Sequence, residues 1–160
     1  MIFGEKINFA VEFELNENHG GAWMFGRFGY WINNSRVGDF ESGTSLRDVF
    51  FQLNDIVKIS DRSFPIDKKR PSQIYEMIDS SIYRDSALIE AAAKYILAPQ
   101  VDIFDDVKIY GIDCSRDSCL LVYKISGGNI VSKLVPHDVL NNSLKLAYKE
   151  LENIYEAEIK

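Results

Sequence analysis

The sequence has little of several residue types that mark particular protein classes. It contains 2 Cys, 2 His and 4 Pro among its 160 residues. So few Cys and His residues exclude a disulfide-rich scaffold and match no common zinc template. No apolar run approaches the roughly 20 residues of a transmembrane helix, and the first residues lack the apolar core of a signal peptide. We therefore expect a cytoplasmic protein in which Cys114 and Cys119 are thiols.

Positive charge is also in short supply. The chain has 18 basic and 24 acidic residues, which gives a formal net charge of −6. An acidic protein repels phosphate backbones and anionic lipids, so neither nucleic acid nor membrane is expected as a direct partner. A basic protein fits better because complementary charge speeds encounter. The only basic cluster, residues 68–70, has acidic residues nearby and is interpreted as a solvated loop.

Length and composition are those of an ordinary globular domain. The chain is 46% hydrophobic and 12% aromatic, close to the average for folded proteins, with enough aromatic residues to favour a sheet-rich core. A domain of this size buries enough surface to fold without a metal or a disulfide. We predict a single domain over residues 1–160.

The first part of the chain predicts three strands and a helix. Apolar residues alternate with polar ones over residues 7–15, and further strands are predicted over 22–32 and 36–41. A helix then begins at Thr44 or Ser45, which can cap it, and its apolar residues recur at three- and four-residue spacing.

The second part repeats this order after two intervening helices. The predicted helices cover residues 72–83 and 86–97, and the strands cover 107–113, 120–126 and 130–135. A last helix runs from about residue 138 to the end. The order is βββα, helices, βββα, and the short hairpin connections favour antiparallel pairing. We predict an α+β fold with an antiparallel sheet of two three-stranded meanders and helices packed mainly on one face.

Catalytic motifs are weak. Cys114, Cys119 and His137 are the only residues that could form a Cys/His pair, and a small buried thiol is the commoner role for such cysteines. The glycines at 26 and 29 lie within a strand, so they do not form a phosphate cradle. We predict no catalytic residue, no cofactor and no metal. A small cytosolic hydrolase using a Cys/His or paired-carboxylate site, or a non-enzymatic scaffold, remains the alternative.

Aromatic and acidic residues concentrate in the first half, where they favour a protein interface. Five aromatic residues crowd the second strand, and most of them are expected in the core. Tyr30 and Trp31 point to opposite faces, so one of them can anchor a partner. The predicted partner-binding residues are Glu12, Glu14, Tyr30, Trp31, Asp39, Glu41, Asp113 and Asp117.

The same region carries a family resemblance. Residues 20–32 read GGAWMFGRFGYWI, followed by an Asn33-Asn34 turn, a Gly38-Asp39 strand and a helix that opens with Ser45-Leu46. This pattern resembles the immunity protein 42 family of bacterial polymorphic toxin and contact-dependent growth inhibition systems. The resemblance implies a non-enzymatic protein that binds and neutralises the C-terminal domain of a cognate toxin, with a basic nuclease as the expected toxin. It supplies no site residues.

Overall fold

Two antiparallel sheets form the framework of the protein, in a computed structural model that describes residues 1–84 and 89–160. The first sheet has the order β1 (Ile2–Glu5), β2 (Phe9–Leu15), β3 (Phe25–Ile32), β4 (Ser35–Val37), and β5 (Thr44–Ser45) pairs with the other half of β3. The second sheet has the order β6 (Val107–Asp113), β7 (Ser118–Ile125), β8 (Ile130–Pro136). The predicted α+β fold with antiparallel meanders is confirmed.

Three α-helices accompany the sheets in the described part of the chain: α1 (Leu46–Lys58), α2 (Pro71–Tyr83) and α3 (His137–Glu158). The hydroxyl of Ser45 accepts a hydrogen bond from the Asp48 amide at 3.3 Å, which caps α1 as predicted. Pro71 begins α2, where its missing N–H costs nothing. None of these helices is long and apolar enough to cross a membrane.

The main core lies against the inner face of the first sheet. Register places Phe9 opposite Ile32 and Phe13 opposite Phe28 on this face, and all four are fully buried. Helices α1 and α3 pack here and add apolar residues at three- and four-residue spacing, such as Leu53, to the same cluster. The strands β6 and β7 contribute to this cluster too, so both sheets share one core.

The second sheet is covered on its other face by α2. Tyr110 and Val122 lie opposite each other in β6 and β7, and they form a second core cluster with Ile74 and Ile78 of α2. The strands β6 and β7 are therefore covered on both faces, whereas β8 stays largely exposed.

The strand boundaries differ from the prediction where glycine and local turns intervene. β1 was not predicted, because its four residues show no clear alternation. The third predicted strand, over residues 36–41, corresponds to β4 and ends at Val37. Gly38 follows with φ +99°, and a Cβ there would lie 2.9 Å from the Phe104 ring. β3 begins only at Phe25, after a short 3-10 turn at Gly21–Trp23.

The helix predicted over residues 86–97 is wrong in its described part, and residues 86–88 lie outside the described residues. Ala91 has φ +51°, and a short 3-10 turn follows at Ala92–Tyr95. The amide of Leu97 then donates to the carbonyl of Ile109 in β6 at 3.0 Å. Pairing with a strand has overridden the helix propensity of the alanines.

Candidate partner-binding surface

The outer face of the first sheet points away from the core. Within residues 1–84 and 89–160, the helices that contact this sheet pack on its inner face, and the outer face exposes Glu14, Phe25 and Glu41 to solvent. Residues of β2, β3 and β4 alternate onto it, and Phe40 lies over Gly29, where an added Cβ would meet its ring at 3.4 Å. We define the outer face by Glu12, Glu14, Phe25, Arg27, Trp31, Arg36 and Glu41, with Trp23 stacked on Phe25 at its edge and the buried Phe40 beneath Arg36.

The glutamates of this face are paired with arginines. Arg36 Nη2 lies 2.9 Å from Glu12 Oε2, and Arg36 Nη1 lies 3.8 Å from Glu41 Oε1. Arg27 Nη1 lies 3.9 Å from both Glu14 Oε2 and Glu41 Oε2. The structure therefore brings Glu12, Glu14 and Glu41 together as members of a mixed-charge network.

Trp31 is held in place by this network. Its indole Nε1 donates to Glu12 Oε2 at 2.7 Å. The Lys6 ammonium lies 4.0 Å from the ring centroid and the Arg36 guanidinium lies 4.9 Å from it. The ring is partly buried. A side chain fixed in this way loses little conformational freedom when a partner covers it.

Tyr30 lies on the opposite face of the same strand, in the main core. It is fully buried, and its hydroxyl donates to the carbonyl of Leu97 at 2.8 Å. Burial raises the pKa of this phenol far above its usual range. Tyr30 is out of a partner's reach, which corrects its prediction as an anchor.

Two exposed aromatic residues were missed as partner-binding candidates. Trp23 and Phe25 expose 50% and 45% of their surface, and their rings stack with centroids 6.2 Å apart. The Arg47 guanidinium lies 3.6 Å from the Trp23 centroid. A signal was available in the sequence, since period two from Arg27, the charged residue of this strand, places Phe25 on the solvent side.

An open groove of about 680 Å³ runs beside Phe25. Asp48, Asp102 and the amide side chains of Gln52 and Gln100 line it. Asp102 Oδ1 accepts a hydrogen bond from Thr44 at 3.2 Å. The exposed aromatic pair thus stands next to a polar depression with two carboxylates.

A comparison with protein families decides what kind of protein carries this surface. The family model described as Immunity protein 42 matches residues 1–157. The chain belongs to the immunity protein 42 family. The resemblance seen in residues 20–48 is confirmed and extends over almost the whole chain.

One solved structure similar to this immunity protein is titled "Crystal structure of CdiI from Burkholderia dolosa AUO158". The TM-score is 0.77, and the alignment covers 94% of this chain and 99% of that one. Sequence identity is 13%, so the likeness concerns the fold. Among curated protein sequences no match was found.

The remaining predicted acids of this immunity protein lie elsewhere. Asp39, in the turn after β4, accepts hydrogen bonds from the amide and hydroxyl of Ser42, and these bonds hold its carboxyl pKa below the usual range. Asp113 and Asp117 belong to the β6–β7 end of the second sheet. Asp117 is exposed there, whereas the side chain of Asp113 is only 18% exposed.

Asp113 has structural partners. One carboxylate oxygen accepts the Arg62 amide at 2.8 Å, and the other lies 3.1 Å from His137 Nε2. Asp113 therefore joins the segment after α1 to the start of α3.

The candidate thiols of the alternative enzyme are not activated. Burial raises the pKa of Cys119 to about 12 and also raises that of Cys114. His137 Nε2 faces Asp113, and its Nδ1 lies 3.0 Å from the Asn141 amide nitrogen. Both thiols are thus protonated at neutral pH, which removes the nucleophile that a Cys/His site requires.

Proposed function

We propose that this immunity protein neutralises a cognate toxin domain by binding it with the outer face of the first sheet. The observation that carries the proposal is the composition of this open face, which combines Trp, Phe and Arg side chains on a rigid sheet. Trp, Tyr and Arg dominate the binding energy of protein interfaces, where they occupy the desolvated centre. Single exposed apolar residues need no explanation, but the stacked and exposed pair of Trp23 and Phe25 supports an interaction site at one end of this face.

The available area fits a standard interface. A typical complex covers about 800 Å² per partner, which is about a tenth of the 8504 Å² that this chain exposes. In this arrangement Trp23 and Phe25 occupy one end of the contact and Trp31 the other. Because Arg27 and Arg36 are already oriented by glutamates, their ordering costs little on binding.

Exposed carboxylates form the rim of the proposed contact. Glu41 exposes 74% of its side chain and Glu14 exposes 62%, and the exposed Asp39 lies two residues before Glu41. Asp117 lies apart from this face, so we assign it a peripheral role in steering a basic partner. Asp113 keeps the structural role described above.

We further propose that the toxin is a basic nuclease, present as the C-terminal domain of a larger protein, and that inhibition takes place in the cytoplasm. The net charge of −6 supports this proposal, since carboxylates can compete with nucleic-acid phosphates for a basic cleft. A direct check is degradation of RNA or DNA by the purified toxin, abolished by an equimolar amount of this protein. A toxin with another activity would contradict the nuclease proposal and leave the binding proposal intact.

The proposed mode of action is binding without catalysis. Two features support it: the raised thiol pKa values of Cys114 and Cys119, and the pairing of Glu12 and Glu14 with arginines. A stoichiometric endpoint separates this mode from an enzyme. Inhibition should stop at one toxin per immunity protein, whereas a catalyst would inactivate many toxin molecules.

Calorimetry with the cognate toxin tests the surface. Phe25 is 45% exposed, and covering about half of an aromatic side chain removes roughly 100 Å² from water. At about 25 cal/mol per Å² this contributes about 2.5 kcal/mol, so Phe25→Ala should raise Kd about 70-fold. Phe51→Ala is the matched control, because Phe51 is 48% exposed on α1. Equal affinities for both variants would exclude the outer face as the contact.

A further inference from the structure

One long strand edge is unpaired in the described part of the chain. The second sheet ends at β6 on one side and at β8 on the other. The β6 edge is covered, because Ser63 and Ile96 bridge to it. The seven residues of β8 pair with β7, and across residues 1–84 and 89–160 no backbone bond reaches their other side.

The register shows which groups of β8 face outward. His137 N donates to Asp117 O at 2.9 Å, which continues the β7–β8 ladder by one residue. Hydrogen-bonded and non-hydrogen-bonded pairs alternate in an antiparallel ladder, so the N–H and C=O groups of Ile130, Ser132 and Leu134 point away from β7. Pro136 has the same phase, where its missing N–H removes no bond to β7.

The side chains of β8 do little to prevent this edge from pairing with another strand. Leu134 is 57% exposed and Val131 is 46% exposed. Lys133 is the only charged residue of β8, and its ammonium lies 3.3 Å from Asn33 Oδ1 of the first sheet. A lysine directed along the strand edge would discourage pairing, and this one is directed elsewhere.

We propose that β8 is a self-association site at which a second copy of this chain adds its own β8 antiparallel. The occupant follows from the register. A two-fold axis at Ser132 pairs the outward groups with one another: Ser132 lies opposite its copy and Ile130 lies opposite Leu134. Val131 then lies opposite Lys133, so the two lysines are kept apart. An axis at Lys133 would place like charges in direct opposition and would use the N–H that Pro136 lacks.

The two sheets then continue as one sheet of six strands. Three hydrogen-bonded pairs supply about six backbone hydrogen bonds, and the exposed side chains of Val131 and Leu134 lose contact with water. The contact is smaller than a standard interface, so a weak dimer is expected, with Kd on the order of 10–100 μM. Each chain carries −6, so added salt should strengthen the dimer by screening repulsion.

Disulfide trapping tests the two-fold axis. In a hydrogen-bonded pair the Cα atoms lie about 5.5 Å apart, which is within the range that a disulfide spans. Ser132→Cys in the Cys114→Ser chain should give a covalent dimer under mild oxidation at ~50 μM protein. Ser126→Cys, an exposed site in the β7–β8 turn, is the matched control and should stay mostly monomeric. Equal dimer yields for the two variants would overturn the proposal.

Sedimentation provides an independent measurement. The native chain should shift from monomer to dimer between ~5 and ~500 μM, and Ser132→Pro should stay monomeric with an unchanged far-UV spectrum, since proline is tolerated at an edge. If the proline variant unfolds, the trapping result decides. A native chain that stays monomeric at ~500 μM contradicts the proposal. A Ser132→Pro variant that loses toxin binding while it still dimerises would also contradict the proposal, because β8 would then pair with a strand of the toxin.

Discussion

Arg62 is the residue whose replacement gives the sharpest test of how the fold is held together. It is only 3% exposed, and its guanidinium donates to the carbonyls of Ile56, Ile59 and Lys94 at 2.8, 3.3 and 3.0 Å. The first two carbonyls belong to the end of α1, where a helix leaves acceptors unsatisfied. The buried guanidinium therefore caps the C-terminal end of α1 and links it by a hydrogen bond to Lys94.

Arg62→Met keeps most of the side-chain length and removes the donors. The carbonyl of Ile56 retains a bond from the Ile59 amide at 3.3 Å, so two carbonyls lose their donor at a cost of about 1–3 kcal/mol each. Relief of the buried charge, whose desolvation lowers the guanidinium pKa, offsets part of this cost. We expect a net loss of about 3 kcal/mol in the free energy of unfolding, or a fall in Tm of about 6–12 °C.

Urea denaturation followed by circular dichroism measures this loss. Arg116→Met is the control, because Arg116 is exposed in the β6–β7 connection and its replacement should change stability by less than about 0.5 kcal/mol. Arg62→Lys should fall between the two, since one ammonium cannot reach three carbonyls. If Arg62→Met unfolds within 1 kcal/mol of the native chain, the reasoning about orphaned carbonyls is refuted.

Two further predictions concern buried polar groups. Asp79→Ala should cost about 2–3 kcal/mol, because Asp79 accepts from Tyr110 at 2.8 Å and pairs with Lys108 at 3.1 Å; a change below 0.5 kcal/mol in urea denaturation would contradict this. Cys119 should resist alkylation at pH 8 in the native state and react in denaturant, as mass spectrometry would show. Because burial raises its pKa from 9.0 to about 12, the protonated Cys119 thiol makes its full contribution to stability below pH ~9. This stabilisation should be lost as the pH rises towards ~12, and a pH-independent unfolding free energy over that window would contradict it.

The period-two pattern predicted which residues of β2 share a face, but it did not predict that the glutamates there are paired with arginines. Glu12 and Glu14 do lie on the outer face, because alternation within one strand fixes which side chains share a side. Their neutralisation depends on Arg27 and Arg36, which reach them from other strands. Cross-strand partners follow from register, and the sequence pattern of one strand does not specify register.

The aromatic residues show the same division. Phe28 and Tyr30 are buried, although Tyr30 was predicted to bind a partner, and Trp23 and Phe25 are exposed. The number of aromatic residues predicts a core but does not say which of them are buried. Alternation along β3 puts Phe25 on the same side as the charged Arg27, so it would have predicted that Phe25 is exposed. The alanines at 91–93 misled for another reason: helix propensity is a weak preference, and pairing of Ile96 and Leu97 with β6 outweighs it.

The two indole N–H groups report directly on the proposed toxin contact, because Trp23 and Trp31 are the only tryptophans, Trp31 lies on the outer face and Trp23 stacks on Phe25 at its edge. A nitrogen–proton correlation spectrum of labelled protein contains one indole signal for each, assigned with Trp23→Phe. Adding the cognate toxin to saturation should shift or broaden both signals while the complex forms. Formation of a stable complex with both indole signals unchanged would contradict the assignment of this face to the toxin.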